Sequence, residues 1–165
     1  MRFSIDQGVA VSPEVALAVY GNPAFYEGRR PRDNISMLEV VSHDETGDRV
    51  LIEVRFQFTG SVSSAVRAVV DPHKLSWITR TEVLVVEMRT RWKILPDHYA
   101  DRLTSQGTYR FSEGPGGPDS AVVTVEGELK IHVPFVGGRV ERVIVTDLRQ
   151  YIAAEVTSIP DVPLG

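Results

Sequence analysis

Several segments of the chain alternate between apolar and polar residues, as half-buried strands do. The clearest alternation covers residues 48–59, and similar patterns cover residues 2–11, 34–43, 103–111 and 120–133. A further extended stretch over residues 76–95 is too long for one strand, so we expect it to break near Glu87 to Arg89. The pattern therefore predicts about seven strands. Because consecutive strands are joined by short turns, we expect an antiparallel sheet.

Two helix-start signals follow the first predicted strand. Ser12 suits an N-cap and Pro13 the first helical position, which predicts a short helix over residues 13–20. Asn22 and Pro23 repeat the same signal, so a second short helix is expected to end near residue 28.

From residue 136 onward the apolar residues recur at helical spacing instead. The predicted apolar stripe contains Val136, Val140, Val143, Ile144, Leu148, Tyr151, Ile152, Val156 and Ile159. Polar residues such as Arg139, Arg142 and Gln150 lie opposite. We expect one long C-terminal helix, and it is the only predicted element large enough to cover the sheet. The sequence thus predicts an α+β fold in which a curved sheet wraps around this helix.

Composition narrows the class of protein. A length of 165 residues with 42% hydrophobic residues fits one globular domain spanning residues 1–165. The chain has no cysteine, which excludes disulfides, zinc–thiolate sites and cysteine nucleophiles. It begins without the apolar region of a signal peptide, and no apolar run approaches the roughly 20 residues that span a bilayer. We therefore expect a cytoplasmic protein with no integral membrane segment.

The charge pattern argues against a nucleic-acid partner. The net charge is −4, whereas phosphate binding depends on clustered lysine and arginine. The nearest basic cluster, residues 29–32, is offset by Glu27 and Asp33 and is expected to form a solvated loop. The sequence leaves the oligomeric state open.

No pattern of catalytic or metal-binding residues stands out. The four histidines lie on different predicted elements, and Asp97-His98 with Asp101 is the one local cluster of metal-ligand types. These residues fall in a polar loop, so we expect them to face water and predict neither a metal nor a cofactor. The catalytic residues, if the protein is an enzyme, cannot be identified from spacing alone.

Aromatic and hydroxyl side chains on the predicted inner faces are candidates to line a ligand pocket. Asp147 lies at the border of the helical stripe, where it either faces the pocket as an acid, base or ligand anchor, or turns to solvent beside Arg142 or Arg149. The predicted ligand-binding residues are Phe56, Phe58, Trp77, Thr79, Thr81, Trp92, Tyr109, Phe111, Asp147 and Tyr151.

The order of elements and several local motifs resemble the helix-grip superfamily of START-like and polyketide-cyclase-like (SRPBCC) proteins, and within it an uncharacterised actinobacterial domain-of-unknown-function family. The motifs are Phe3-Ser4 with Ser12-Pro13-Glu14, then Ser64-Ala65-Val66-Arg67, Gly107-Thr108-Tyr109 and, above all, Val133-Pro134-Phe135-Val136-Gly137-Gly138-Arg139-Val140-Glu141. The resemblance implies a sheet that grips the C-terminal helix around a cavity, and it carries no established activity.

Three functions fit these observations. The first is binding of a small hydrophobic molecule, such as a lipid, fatty acid or polyketide-like compound, between the sheet and the helix. The second is a cyclase- or dehydratase-like enzyme, for which Asp147, Tyr109 and His132 are the residues to test. The third is a scaffold whose interior is filled by the same aromatic side chains.

Overall fold

The alternating segments form one antiparallel sheet in the computed structural model, which describes residues 1–28, 34–62, 64–68 and 70–164. Within those ranges the sheet has seven strands in the spatial order β1-β7-β6-β5-β4-β3-β2. The strands are β1 Arg2–Val9, β2 Ile35–Thr46, β3 Arg49–Phe58, β4 Ser76–Leu84, β5 Arg89–Pro96, β6 Leu103–Gly114 and β7 Gly117–Ile131. Every neighbouring pair is antiparallel. The predicted seven-stranded antiparallel sheet is confirmed.

Two short helices follow β1, as the sequence predicts. The helices are α1 Pro13–Tyr20, α2 Pro23–Glu27, α3 Ser64–Arg67 and the C-terminal α4 Gly137–Thr157. The Ser12 hydroxyl accepts a hydrogen bond from the backbone N–H of Val15 at 3.3 Å, and the Asn22 side chain accepts one from that of Ala24 at 2.9 Å. Both predicted N-caps are confirmed.

The two faces of the sheet differ in polarity. On β3, Ile52, Val54 and Phe56 are buried on what we call the inner face, the face covered by α1 and α4. Glu53 lies on the outer face, where it pairs with Arg80 of β4 at 2.6 Å. Ion pairs of this kind cross the outer face from strand to strand, so that face is a solvated surface.

Helix α4 packs on β1 and β7, and its buried side differs from the predicted stripe. Val140, Ile152 and Val156 of the predicted stripe are buried, as expected. Val143 and Ile144 are instead exposed, and Val145 is buried although it lies outside the stripe. The helix is therefore rotated relative to the prediction. Two acidic residues, Glu141 and Glu155, lie on the buried side with hydrogen-bond partners, and a pattern of apolar residues alone cannot include them.

The centre of the sheet is covered by α1. Ala16, Leu17, Val19 and Tyr20 are buried, and the helix packs against β4, β5, β6 and β7. The prediction that α4 alone covers the sheet is wrong. The other side of this eight-residue helix, with Glu14, Val15 and Ala18, is exposed.

Other connections agree with the sequence where they are described. The long extended stretch breaks between β4 and β5, and Met88 in the turn has a positive φ of 48°. The basic cluster at residues 29–32 lies outside the described residues, as do the Ser63 and Val69 positions of the connection that contains α3. In the described part of the chain, no helix is both long and apolar enough to cross a bilayer.

Candidate ligand-binding site

Trp92 lies on the inner face of β5, near the middle of the sheet. In the sheet register it is opposite Thr81 of β4 on one side and Gly107 of β6 on the other. A Cβ atom at Gly107 would lie 2.7 Å from Cζ2 of the indole and 2.8 Å from Cε2. The missing side chain at Gly107 therefore lets the Trp92 ring lie against β6.

Three buried polar atoms on this wall have no hydrogen-bond partner among the described residues. They are Thr90 Oγ1, Trp92 Nε1 and Ser105 Oγ, in side chains of residues that are 0%, 8% and 3% exposed. We call these three residues the polar cluster. An unsatisfied buried donor or acceptor costs about 1–3 kcal/mol, so such groups call for a functional explanation.

The sheet register places Trp92 between the other two residues of the polar cluster. Thr90 and Trp92 are two residues apart on β5, and Ser105 is two residues from Gly107, the residue opposite Trp92. Trp92 and Ser105 are diagonal neighbours, about 7–8 Å apart, whereas Thr90 and Ser105 are separated by four positions along the strands. A ligand that bonds to both hydroxyl groups therefore has to span about 13 Å, with Trp92 between them.

A buried carboxylate lies next to the polar cluster. Glu155 of α4 is 7% exposed and accepts a hydrogen bond from the Tyr109 hydroxyl at 3.3 Å. Tyr109 is directly opposite Thr90 in the register. The ring of Tyr20 lies 4.8 Å from that of Tyr109 and 5.5 Å from that of Phe111, so α1 holds the phenol in place. Carboxylate and phenol thus lie beside Thr90, at one end of the polar cluster.

Aromatic side chains border this region toward β3. The rings of Phe56 and Trp77 are stacked with their centroids 6.1 Å apart, and the Trp77 indole donates a hydrogen bond to Thr79 at 3.2 Å. Trp77, Thr79 and Ile94 are only half-buried. The inner face therefore remains open to solvent at this end of β4 and β5.

The structure brings most of the predicted site residues onto one face of the sheet. The residues with inner-face positions on strands are Phe56, Phe58, Trp77, Thr79, Thr81, Trp92, Tyr109 and Phe111. Tyr151 is half-buried and packs against the core. Asp147 is exposed on α4, so of its two predicted positions the one at the pocket wall is wrong and the one facing solvent is confirmed. His132 is exposed as well, with Nε2 3.4 Å from the Thr104 hydroxyl.

The predicted polar loop at Asp97 has a structural role. The Asp97 carboxylate accepts hydrogen bonds from Arg55 Nη1 at 2.6 Å and from the Ser76 hydroxyl at 2.7 Å. Partial burial acts to raise the pKa of Asp97, but the bonds from Ser76 and Arg55 hold it below its ordinary value of 3.8. Among the described residues, no three side chains of metal-ligand type come together.

Two depressions on the surface, of about 580 and 540 Å³, lie away from this region. One is lined by residues that include Tyr99 and Arg102, and the other by residues that include Arg2 and Arg149. Neither is lined by any of the ten predicted site residues. The candidate site is therefore defined by the inner-face side chains and not by a surface groove.

A family sequence profile matches residues 4–160 of the chain. The chain belongs to the family described as "Protein of unknown function (DUF2505)". This agrees with the resemblance drawn from the sequence motifs. A comparison with curated proteins found no match.

Solved structures with the same fold cover nearly the whole chain. TTHA0849 from Thermus thermophilus has a TM-score of 0.65 at 14% identity, covering 98% of this chain and 95% of its own. Norcoclaurine synthase from Thalictrum flavum, in complex with dopamine and hydroxybenzaldehyde, has a TM-score of 0.59 at 19% identity, covering 94% and 83%. An aromatase/cyclase from a Streptomyces species has a TM-score of 0.57 at 11% identity, covering 94% and 90%. The helix-grip fold is confirmed.

Sequence reasoning missed Thr90, Ser105 and Glu155. Thr90 lies two residues from Trp92, and Ser105 lies four residues from Tyr109, so each shares the inner face with its aromatic neighbour. The alternation therefore predicts both positions if polar residues are allowed on the inner face. Glu155 lies three residues after Ile152 and seven after Leu148, at helical spacing. A search for apolar residues alone passes over all three.

Proposed function

We propose that the protein binds a small, largely apolar molecule with at least one oxygen substituent between the inner face of the sheet and α4. Lipids, fatty acids and polyketide-like compounds belong to this class. The observation that carries the proposal is the polar cluster, whose buried atoms have no partner among the described residues. A carbonyl or hydroxyl oxygen of a ligand would accept from the Trp92 N–H and exchange a hydrogen bond with the hydroxyl group of Thr90 or of Ser105.

The surroundings of the polar cluster suit a flat apolar ligand. Ligand sites are mostly apolar and aromatic, with a few convergent polar groups that fix orientation. The stacked Phe56 and Trp77 rings and the partly exposed Ile94 supply such a wall. The partial exposure of Trp77 and Ile94 also provides a route by which a ligand reaches the interior.

The fold supports the proposal by analogy. Norcoclaurine synthase, with the same fold, is described in complex with dopamine and hydroxybenzaldehyde, two aromatic molecules that carry oxygen substituents. This likeness concerns the fold alone.

Native mass spectrometry of the purified protein, followed by solvent extraction, tests the proposal. We expect an oxygen-bearing apolar compound to co-purify or, in its absence, such compounds to raise the melting temperature and change the fluorescence of Trp77 and Trp92. Ser105→Ala is expected to weaken binding, whereas Ser112→Ala, on the exposed outer face of β6, is not. If nothing co-purifies and a panel of fatty acids and aromatic ketones has no effect, the proposal fails.

A cyclase- or dehydratase-like enzyme is the second candidate. The observation that favours it is the buried Glu155 carboxylate beside the Tyr109 hydroxyl, because a titratable group on the wall of a binding site can move protons. The scaffold alternative is favoured by the packing of Tyr20 against Tyr109 and Phe111, which fills one end of the interior. The scaffold alternative requires that the panel of fatty acids and aromatic ketones change neither the melting temperature nor the tryptophan fluorescence.

A further inference from the structure

Phe135 lies in the loop between β7 and α4 and is the most exposed large apolar side chain in the part of the chain that the structure describes. Its φ is 66°, and the N–H of Val136 donates a hydrogen bond to the carbonyl oxygen of Pro134 at 2.8 Å. Phe135 is therefore the central residue of a γ-turn with positive φ, a conformation that is rare and strained, most of all for a bulky side chain. Neither packing nor backbone preference explains a phenylalanine here, so the position indicates a role outside the fold.

The apolar surface continues from this loop onto α4. Val136, Arg139 and Val143 recur at helical spacing, which places them on one side of the helix. Arg139 and Arg142 are exposed, and Val143 is 58% exposed. We call Phe135, Arg139, Arg142 and Val143, together with Lys130 near the end of β7, the exposed tip.

The exposed charges of this segment have one sign. Residues 130–146 contain three cations, all exposed, which are Lys130, Arg139 and Arg142. Their one carboxylate is Glu141, which is 7% exposed and accepts a hydrogen bond from the backbone of β7. The next exposed carboxylate on α4, Asp147, comes one turn after the tip ends. The exposed tip is thus cationic, although the chain as a whole has a net charge of −4.

The adjoining parts of the sheet do not cancel this charge. The carbonyl oxygen of Arg102 accepts a hydrogen bond from the N–H of His132 at 2.8 Å, so the start of β6 is next to the loop. There Arg102 lies 3.9 Å from Asp101, and the two charges offset each other. On β7, Glu128 is directly opposite Arg2 of β1 in the register, which offsets its charge in the same way.

We propose that the exposed tip docks on a bilayer that contains anionic lipids. Phe135 and Val143 enter the boundary between headgroups and acyl chains, and the three cations contact the headgroups. Apolar side chains beside exposed lysine and arginine are the pattern of helices that lie in a membrane interface. Cations near an anionic surface and an inserted aromatic ring contribute independently to such binding.

The composition of the tip favours a bilayer over a protein partner. A stable protein interface buries about 800 Å² on each partner, around a core that is apolar and poor in charge. On the tip, three cations accompany Phe135 and Val143, so no such core is present. The inference goes beyond the proposed function, since docking requires neither a ligand nor the inner face of the sheet.

Co-sedimentation with vesicles tests the inference. One set of vesicles contains phosphatidylcholine and phosphatidylserine in equal parts, and the control set contains phosphatidylcholine alone. We expect the wild-type protein to bind the mixed vesicles and to bind the control vesicles more weakly. It should also dissociate from the mixed vesicles as added salt screens the charges.

Two pairs of variants separate the hydrophobic and the electrostatic contributions. Phe135→Asn should weaken binding to the mixed vesicles about tenfold or more. Its melting temperature should be no lower than that of the wild type, because asparagine tolerates a positive φ. The control is Val86→Asn, since Val86 is 77% exposed in the turn between β4 and β5, at the opposite end of the sheet. Arg139→Gln should weaken binding about fivefold, whereas Arg91→Gln, on the exposed outer face of β5, should bind as the wild type does.

Several results would overturn the inference. These are equal binding to both kinds of vesicle, binding to neither, and wild-type binding by Phe135→Asn. A lower melting temperature for Phe135→Asn would show that the side chain serves the fold and would also overturn it. If sedimentation velocity shows a wild-type dimer that Phe135→Asn abolishes, the tip is an interface between two copies of the chain and not a membrane-docking site. None of these outcomes bears on ligand binding at the inner face, so the proposed function is decided by its own experiment.

Discussion

Glu141 on α4 accepts a hydrogen bond at 2.9 Å from the backbone N–H of Ile131, the last residue of β7. Its other carboxylate oxygen lies 3.2 Å from the N-terminal ammonium group of Met1, which precedes β1. The first turns of α4 are thereby fixed to the two strands on which the helix packs. The buried acidic residues on α4, rather than an uninterrupted apolar stripe, set the rotation of the helix on the sheet.

Glu141→Gln should lower the free energy of unfolding by about 1–2 kcal/mol at neutral pH. The reason is that a neutral amide replaces a buried carboxylate that accepts charge-assisted hydrogen bonds. Urea unfolding measures the change. Glu128→Gln, on the exposed outer face of β7, is the control and should alter it by no more than about 0.5 kcal/mol. A loss no larger than that of the control would contradict the role given to Glu141.

The stability contribution of Glu141 should also depend on pH. The hydrogen bond from Ile131 lowers the pKa of Glu141 below its ordinary value of 4.5, against the effect of burial, and the N-terminal ammonium lowers it further. A lowered pKa means that the stabilisation is complete above about the ordinary value and is lost as the pH falls through the lowered one. The difference between wild type and Glu141→Gln should therefore be constant above that range and shrink at more acidic pH. A constant difference down to the onset of acid unfolding would contradict this explanation.

The rotation of α4 can be tested with two identical substitutions. Val145 is 4% exposed and Val143 is 58% exposed. Val145→Asp would bury an unpaired carboxylate and should lower the free energy of unfolding by about 3 kcal/mol or more. Val143→Asp should change it by no more than about 0.5 kcal/mol. Thermal melts of the two variants decide the matter, and equal destabilisation would show that the helix is rotated differently.

The close approach of Trp92 to β6 predicts a further effect on stability. In Gly107→Ala the new Cβ would lie 2.3 Å from the backbone oxygen of Glu126 and 2.7 Å from the Trp92 indole, so a loss of about 1–3 kcal/mol is expected. In Gly138→Ala, within α4, no atom lies within 4 Å of the new Cβ, and stability should be unchanged or slightly higher. Chemical unfolding followed by tryptophan fluorescence compares them. A Gly107→Ala variant as stable as Gly138→Ala would refute the close approach.

The sheet was predictable from sequence because its period is simple. Along β3, the buried Ile52 and Val54 alternate with the paired Glu53 and Arg55, and one register satisfies both faces. Helix α4 was harder to orient. Its sequence has apolar residues over a wide arc, so Val143 fits the stripe as well as Val145 does. The choice between them depends on the hydrogen bonds of Glu141 and Glu155, which only the three-dimensional arrangement shows.

In the candidate site too, the sequence pattern predicts which face a residue lies on but not which hydrogen bonds it makes. The aromatic residues on the inner face were predictable, since the alternation of side chains along each strand assigns Phe56, Trp92 and Tyr109 to that face. Thr90 and Ser105 share that face but are polar, and nothing in the sequence indicates that their hydroxyl groups lack partners. Asp147 was a candidate only under the wrong helix rotation.

Thermal unfolding of wild type and Thr90→Val, with and without the flat bicyclic aromatic ketone β-tetralone, tests the central claim most directly. Without ligand, Thr90→Val should be more stable by about 1 kcal/mol, because valine removes an unpaired buried hydroxyl without changing its shape. With ligand, the melting temperature of the wild type should rise by more than that of the variant, since the variant lacks one hydrogen bond to the ligand oxygen. Thr108→Val, on the outer face of β6, should leave the ligand-induced rise unchanged. A Thr90→Val protein that is less stable without ligand, with a ligand-induced rise equal to that of the wild type, would mean that the hydroxyl serves the fold and would contradict the account.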